Sequence, residues 1–120
     1  MRSELIQEIL RELATSSSEV EGSVVTSLDG LPIASVLPQG VEEDRVSAMS
    51  AAMLSLGERT AQELRRGTLE QVLIRGAGGF VLMVQAGEEA VLTVLVREKA
   101  KLGLVFLDVK RAAERVAQVL

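Results

Sequence analysis

Two short apolar runs constrain the fold of this chain more than any other feature. Residues 80–84 are Phe-Val-Leu-Met-Val and residues 91–96 are Val-Leu-Thr-Val-Leu-Val, so polar and apolar positions hardly alternate in either run. A strand without a polar face has to be covered on both sides. The sequence therefore predicts a sheet that forms the middle layer of a sandwich, with helices above and below it.

Turn signals around these runs predict five strands. Asp29-Gly30 is a strong hairpin signal, because two-residue turns need positive φ values at their central residues. Gly-rich turns separate the last three strands. The predicted strands are 20–28, 31–37, 69–75, 79–86 and 90–96. Pro32 cannot donate to a strand ladder, and the third strand keeps several polar side chains, so the second and third strands are predicted at the sheet edges.

Three helices are predicted from apolar spacings of three and four residues. They span residues 3–15, 41–67 and 101–120. The central helix carries two distinct faces. One is an apolar stripe predicted to pack on the chain's own sheet: Val46, Met49, Met53, Leu56 and Leu64. The other is a face of small residues predicted to pack closely against a second copy of the helix: Ala48, Ala51, Ala52 and Ser55.

The order of these elements is α-β-β-α-β-β-β-α, which predicts an α+β fold. The expected architecture is a five-stranded antiparallel sheet with the long central helix on one face and the two terminal helices on the other. Residues 1–120 are expected to form a single domain, because no linker is long enough to divide them. Aromatic residues are only 2% of the chain, so the core is expected to consist of Val, Leu, Ile, Met and Ala.

The composition removes several classes of function. The chain has no Cys and no His, which excludes disulfides, thiolate or imidazole metal sites and His-based catalysis. Its net charge of −4 and its lack of stacking aromatics argue against nucleic-acid binding. No enzymatic activity, cofactor or metal site is predicted. The apolar runs are too short to cross a bilayer and the chain opens on an amphipathic pattern, so a cytoplasmic protein is expected.

Three clusters have an alternative chemical interpretation. Residues 76–79 suggest a phosphate loop, but such loops open a helix, and Phe80 begins a predicted strand, so a hairpin turn is preferred. The acidic residues 42–44 could form a metal cluster, although at a helix start they also favour the helix dipole. Arg59, Arg65 and Arg66 could supply a catalytic arginine to a GTPase, but contact with a partner or a solvated helix end is preferred.

Three blocks of sequence carry a resemblance to a known family. They are residues 25–35 (VTSLDGLPIAS), residues 72–82 (VLIRGAGGFVL), and LGLV at 102–105 followed by KRAAER at 110–115. In this order and at this spacing the chain resembles the Roadblock/dynein-light-chain family, and especially its bacterial MglB-like branch, over roughly residues 6–119. Lys101 stands where the family often has Asn at a helix start, which leaves the start of the last helix open.

The resemblance implies a homodimer in which the third strand pairs with its two-fold mate and the central helices lie side by side. The expected interface residues are Ala48, Ala51, Ala52, Ser55, Leu69, Gln71, Leu73 and Arg75. The exposed parts of the paired helices are expected to contact a partner. The candidate contacts are Arg45, Arg59, Gln62, Arg65 and Arg66.

The resemblance also implies a function, which is regulation of a small Ras-like GTPase. The chain would bind near the switch regions and order the partner's own residues, since it has no convincing catalytic group itself. Two other classes stay open. One is a scaffold subunit of a larger complex without effect on nucleotide turnover, and the other is a small-ligand sensor with a pocket between sheet and helix.

Overall fold

Residues 2–120, the part of the chain that the computed structural model describes, form three helices and five strands in the predicted order. The elements are α1 (Arg2–Ser16), β1 (Val20–Ser27), β2 (Pro32–Val36), α2 (Glu43–Glu63), β3 (Val72–Gly76), β4 (Gly79–Ala86), β5 (Ala90–Arg97) and α3 (Leu102–Val119). The prediction of the α+β fold is confirmed.

The five strands form one antiparallel sheet in the order β2-β1-β5-β4-β3. Both predicted edge strands lie at the edges, and β5, which contains the run 91–96, is the central strand. Its side chains are buried on both faces from Ala90 to Val94. The sandwich that the unbroken apolar runs predicted is therefore confirmed.

The two faces of the sheet carry cores of very different size. On one face α1 and α3 pack over a large cluster that includes Leu10, Leu82, Leu92 and Val109. On the other face α2 covers a small cluster of buried residues, namely Leu54, Met83 and Val91. The α1/α3 side therefore supplies most of the apolar burial.

The central helix is shorter at both ends than predicted. It begins at Glu43 and ends at Glu63, because the following residues leave the helical conformation: Arg65 has φ 57° and Gly67 has φ 85°. Left-handed residues at this position terminate helices. The strand predicted from residue 69 likewise begins only at Val72. In contrast, α3 begins where expected, with Lys101 at its N-cap position and without a side-chain cap.

The prediction that the apolar stripe of α2 packs on the sheet is wrong for most of the stripe, although Met53 does pack against the α2-side cluster. Met49, Leu56 and Leu64 are 53%, 57% and 62% exposed, and Val46 and Met53 are only half-buried. The buried side chains of α2 are instead Ser47, Ser50 and Leu54.

Small residues explain this rotation of α2, because they let the helix lie close to the sheet. Gly57 is one of them: a Cβ there would lie 3.1 Å from the side chains of both Leu69 and Val72. Ser50 is another, and its Oγ accepts a hydrogen bond of 2.7 Å from the Thr93 hydroxyl. Ser47, Ser50 and Leu54 therefore face the sheet, and most of the apolar stripe lies on a flank of α2 that does not face the sheet.

Candidate functional site

The two edges of the sheet are finished in different ways. At β2, the Gln7 side chain of α1 closes the edge: its Nε2 donates to Ser35 O at 2.6 Å, and Ser35 N donates to its Oε1 at 3.1 Å. At β3, the described residues provide strand pairing only on the β4 side. An open edge strand is a template for pairing with another chain. The β3 edge is therefore a candidate for such pairing.

The side chains of β3 are apolar and exposed as well. Leu73 is 42% exposed and Ile74 is 38% exposed. Leu73 pairs with Leu82, which belongs to the α1/α3 core, so the side chain of Leu73 lies on that face of the sheet. Ile74 pairs with Val81, which packs against the α2-side cluster, so Ile74 lies on the α2 face.

An apolar surface continues from β3 to the side of α2. We call it the seam surface, and its residues are Met49, Met53, Leu56, Ile74 and Val81. The three α2 residues follow one another at spacings of four and three, so they line one flank of the helix. Contiguous exposed apolar surface on a soluble domain marks an interaction site. The seam surface and the open β3 edge therefore form one continuous candidate interface.

The predicted small face of α2 lies on another side of the helix. Ala48, Ala52 and Ser55 are exposed and Ala51 is half-buried. The tip of the chain's own β1–β2 hairpin approaches this face. A Cβ built on Gly30 would lie 3.5 Å from Ala48 Cα and 3.8 Å from Ala51 Cβ. The hairpin therefore occupies part of the surface that the sequence assigned to a second helix.

The predicted strand residues of the interface lie at or just before β3. Leu69 is half-buried beside Gly57, and Gln71 is exposed, but both precede the strand. Leu73 and Arg75 belong to the strand itself. The Arg75 guanidinium lies 5.8 Å from the centre of the Phe80 ring, a cation–π distance.

The candidate partner-binding residues all lie on or just after α2, and all five are exposed: Arg45, Arg59, Gln62, Arg65 and Arg66. Arg45 lies 4.0 Å from Glu42, and Arg59 lies 3.9 Å from Glu63. Such exposed ion pairs are weak and are screened by salt. A partner carboxylate can therefore replace them at little cost.

The glycine-rich segment 76–79 is a hairpin turn, as preferred from the sequence. Gly76 pairs with Gly79 where β3 passes into β4, and Phe80 is the second residue of that strand. The acidic residues 42–44 lie at the N-cap and in the first turn of α2, where negative charge favours the helix dipole. Within residues 2–120, no helix is long and apolar enough to span a membrane.

A layer of hydroxyl groups between α2 and the sheet was not predicted. Thr93 donates to Ser50, and Ser50 donates to Val46 O at 2.7 Å. The buried hydroxyls of Thr26 and Ser47 have no hydrogen-bond partner among the described residues. Ser47, Ser50 and Leu54 follow one another at spacings of three and four. That spacing could be seen in the sequence, but two of its three residues are serines, so it indicated a buried face less clearly than the apolar stripe did.

Comparison with known proteins gives a family match and close relatives. The Roadblock/LC7 domain model matches residues 6–96. Two relatives from Methanocaldococcus jannaschii, the uncharacterized proteins MJ1340 and MJ0310, are 46% and 45% identical over 93% of this chain and 96% of their own length.

Solved structures share the fold. MglB from Myxococcus xanthus is 19% identical with a TM-score of 0.89, covering 98% of this chain and 88% of that one. A structure described as MglB with a tetrameric arrangement is 24% identical with a TM-score of 0.89, covering 98% and 89%. At these identities the likeness concerns the fold alone. The family-model match and the M. jannaschii relatives show the family: the chain belongs to the Roadblock/LC7 domain family.

Proposed function

We propose that this chain is a homodimeric, non-catalytic regulator that binds a small Ras-like GTPase and changes its rate of GTP hydrolysis. The observation that carries the proposal is the uncovered interface formed by the β3 edge and the seam surface, in a chain of the Roadblock/LC7 family. Its resemblance to MglB-like proteins supplies the class of partner.

The dimer that we propose pairs β3 with β3 of a second copy in an antiparallel, two-fold manner. The two sheets then become continuous, and the two α2 helices lie side by side over the junction. Leu73 and Arg75 belong to the paired strands, while Leu69 and Gln71 flank them. Pairing of this kind satisfies the backbone groups of both edges and buries their apolar side chains at once.

The helix contact is centred on Met49, Met53 and Leu56 rather than on the small face. Ala51 already lies near the tip of the chain's own β1–β2 hairpin. Met53, in contrast, packs against the same cluster as Val72 of the edge strand β3. Burying a large apolar side chain contributes about 1.5–3 kcal/mol when it passes from fully exposed to fully buried. In a monomer these side chains stay partly exposed, so a substantial part of this burial free energy is gained only when the dimer forms.

The paired α2 helices leave a platform on the side away from the sheet. Arg45, Ala52 and Arg59 recur every seven residues, so they share one face of α2, opposite the buried serines. The two arginines are roughly 21 Å apart along the helix axis at 1.5 Å per residue. Two such faces around a two-fold axis present to the GTPase a broad surface of small residues that also carries the Arg45–Glu42 and Arg59–Glu63 ion pairs. Regulation would act by ordering the partner's switch regions.

The dimer is tested by sedimentation velocity on Leu56→Glu. Leu56 is exposed in the monomer, so the substitution should leave the fold intact and reduce the mass to that of one chain, 12.8 kDa. Leu31→Glu is the matched control, because Leu31 is similarly exposed (62% against 57% for Leu56) but lies on the β1–β2 turn. A dimer that survives Leu56→Glu would contradict the proposed helix contact.

The GTPase function is tested with a purified Ras-like GTPase from the same organism. We expect binding to be stronger with a non-hydrolysable GTP analogue than with GDP, and single-turnover hydrolysis to change when the chain is added. The double variant Arg45→Glu/Arg59→Glu should lose both effects while keeping the dimer mass. Arg111→Glu, an exposed arginine on α3, is the control. Equal binding in both nucleotide states and an unchanged rate would favour a scaffold role.

A further inference from the structure

The segment between α2 and β3 is held in place by few contacts. Residues 67–71 make no hydrogen bond with any described residue, and all of them except Leu69 are exposed. Leu69 is half-buried, and its two methyl carbons lie 3.1 and 3.6 Å from a Cβ built on Gly57 of α2. Gly67 has φ 85° and no described residue within 4 Å of its own added Cβ. We call residues 67–71 the strap, and Leu69 is its main anchor.

The strand beside the strap has open backbone groups. β3 and β4 pair only from Val72↔Met83 to the turn, whereas the pairing of β4 with β5 extends to Ala86. In an antiparallel sheet, the N–H and C=O groups of successive residues point to opposite neighbouring strands. The two-residue turn makes Gly79 face β3, so every second residue of β4 does the same, including Gln85. The Gln85 N–H and C=O therefore point towards the strap and have no strand partner among residues 2–120.

Continuing the β3 register through the strap would supply that partner. Residues 71, 70 and 69 would lie opposite residues 84, 85 and 86, and Glu70 would exchange both backbone hydrogen bonds with Gln85. Side chains alternate between the two faces of a strand. Leu69 would then share a face with Ala86, which belongs to the α1/α3 core, and Glu70 would lie on the α2 face.

The strap of the described structure holds these two side chains the other way round. Leu69 packs against the α2-side cluster, and Glu70 borders a groove of about 600 Å³ between α3 and the sheet. The lining of this groove near the strap is mostly apolar and small: Val84, Gly87, Phe106, Ala113 and Ala117. A polar cavity of about 570 Å³ lies on the α2 side, lined by Glu58, Gln62, Arg65, Thr68 and Gln85. Leu69 borders both spaces, so a short movement separates its two positions.

We propose that the strap is a two-state switch, which passes from coil to strand while Leu69 moves into the groove and Glu70 into the polar cavity. The strand form gains the two hydrogen bonds with Gln85. It also moves a carboxylate from apolar surroundings towards Arg65, which has no ion pair with another described residue. It loses the contact of Leu69 with Gly57. These gains and losses oppose each other, which is the condition for two states of comparable free energy.

The switch changes the support of α2 at the end that carries partner contacts. No residue from 55 to 63 is buried, and Leu69 lies against this part of the helix at Gly57. Its departure would loosen the last turns of α2, where Arg59 and Gln62 lie. This consequence rests on the proposed function, whereas the strap transition does not. A GTPase that binds an ordered α2 would select the coil form, so the strand form would lower its affinity.

A disulfide across the extended register tests the transition, because the chain itself has no Cys. In the strand form Leu69→Cys and Ala86→Cys become a non-hydrogen-bonded pair, whose Cα atoms lie about 4.5 Å apart, within disulfide range. In the coil form they lie on opposite faces of the sheet. Arg75→Cys/Phe80→Cys, a pair of the same kind in the existing ladder, is the positive control. Leu69→Cys/Phe80→Cys, which is out of register, is the negative control.

With oxidised glutathione we expect an intrachain disulfide, measured by mass spectrometry, in Leu69→Cys/Ala86→Cys and in the positive control. Thiols that stay reduced in the former while the positive control is oxidised would overturn the switch. Amide exchange tests the strap with Leu69 in place. The Gln85 N–H should exchange more slowly in Glu70→Ala than in Glu70→Pro, because proline lacks the N–H that the strand form needs. Equal exchange rates would also overturn the switch.

The coupling to α2 is measured by GTPase binding to the Leu69→Cys/Ala86→Cys variant. The oxidised form should bind the GTP-loaded GTPase about 10-fold more weakly than the reduced form, and a reductant should restore binding. Equal affinity of the two forms would overturn the coupling. If the GTPase binds neither these forms nor the wild-type chain, the proposed function is refuted, and the disulfide yield then decides on the switch alone.

Discussion

The hydroxyl chain between α2 and the sheet predicts an asymmetry between two substitutions. Thr93 donates to Ser50, and Ser50 donates to the carbonyl oxygen of Val46, each over 2.7 Å. Both hydroxyl-bearing residues are almost fully buried. Ser50→Ala removes the acceptor and leaves the Thr93 hydroxyl enclosed without a partner. Thr93→Val removes a donor but leaves Ser50 bonded to Val46.

The expected magnitudes follow from this difference. A buried hydroxyl left without its partner costs about 1–3 kcal/mol, whereas loss of one net hydrogen bond costs about 0.5–1.5 kcal/mol. Ser50→Ala should therefore lower the free energy of unfolding by the larger amount, and Thr93→Val by the smaller. The double variant should be no less stable than Ser50→Ala alone, because it no longer contains an unpaired hydroxyl at residue 93. For a domain of this size, about 1 kcal/mol corresponds to roughly 4 °C in melting temperature.

Urea unfolding followed by circular dichroism measures all four members of this double-mutant cycle. Protein concentration has to be the same throughout, because association of the native chain raises its apparent stability. Additive effects of the two substitutions would refute the reasoning. So would a Ser50→Ala variant that is at least as stable as Thr93→Val, since the geometry assigns the unpaired hydroxyl to the former.

Two further substitutions probe a buried hydroxyl and a glycine with positive φ. Thr26→Val should leave the free energy of unfolding unchanged or raise it by up to about 1 kcal/mol. The reason is that the buried Thr26 hydroxyl has no partner among the described residues and valine has nearly the same shape. Urea unfolding measures this free energy, and a clear loss of stability would count against an unpaired hydroxyl. Gly79→Ala should cost more than about 2 kcal/mol, because φ is 147° and the new Cβ would lie 2.5 Å from a carbonyl oxygen of β5. Gly78→Ala in the same turn meets nothing among the described residues within 4 Å and serves as its control in thermal denaturation.

The sheet could be predicted well because local and tertiary signals agree there. The unbroken runs 80–84 and 91–96 required cover on both faces, and β5 is indeed the central strand. Pro32 is incompatible with an interior ladder position, and it begins the edge strand β2. Positive φ values occur at Gly30 in the β1–β2 connection and at Gly79, which begins β4. The β1–β2 connection spans residues 28–31, so the prediction of a two-residue DG turn is wrong, and Asp29 does not have positive φ. Each of these features can be recognised from a stretch of only a few residues.

The rotation of α2 could not be predicted in the same way. Periodicity identifies an apolar stripe, but it does not say what covers that stripe. The stripe was assigned to the chain's own core because burial inside a monomer is the usual outcome. A helix that packs on a sheet and also borders an interface needs two contact faces. Here the sheet-facing side uses Ser47, Ser50 and Gly57, and these residues do not look like a core in a sequence.

The hairpin contact was missed for a related reason. Gly30 lies near Ala48 and Ala51, which are about twenty residues away in the chain. No short-range pattern encodes which surface a turn will touch. The small face of α2 was predicted to pack against a second helix, but the neighbour that this structure gives Ala48 and Ala51 is a turn of the same chain. Tertiary contacts of this kind depend on the relative placement of elements.

The unequal cores on the two faces connect the fold to the proposed dimer. The α2-side cluster has three buried apolar residues, and the layer beside it is made of hydroxyl groups. The apolar flank of α2 therefore contributes little to the stability of a single chain, since much of it remains in water. A second copy covering Met49 and Leu56 would hold α2 on the sheet as well as join the chains. Folding of α2 and association would then be thermodynamically linked, and the melting temperature would rise with protein concentration.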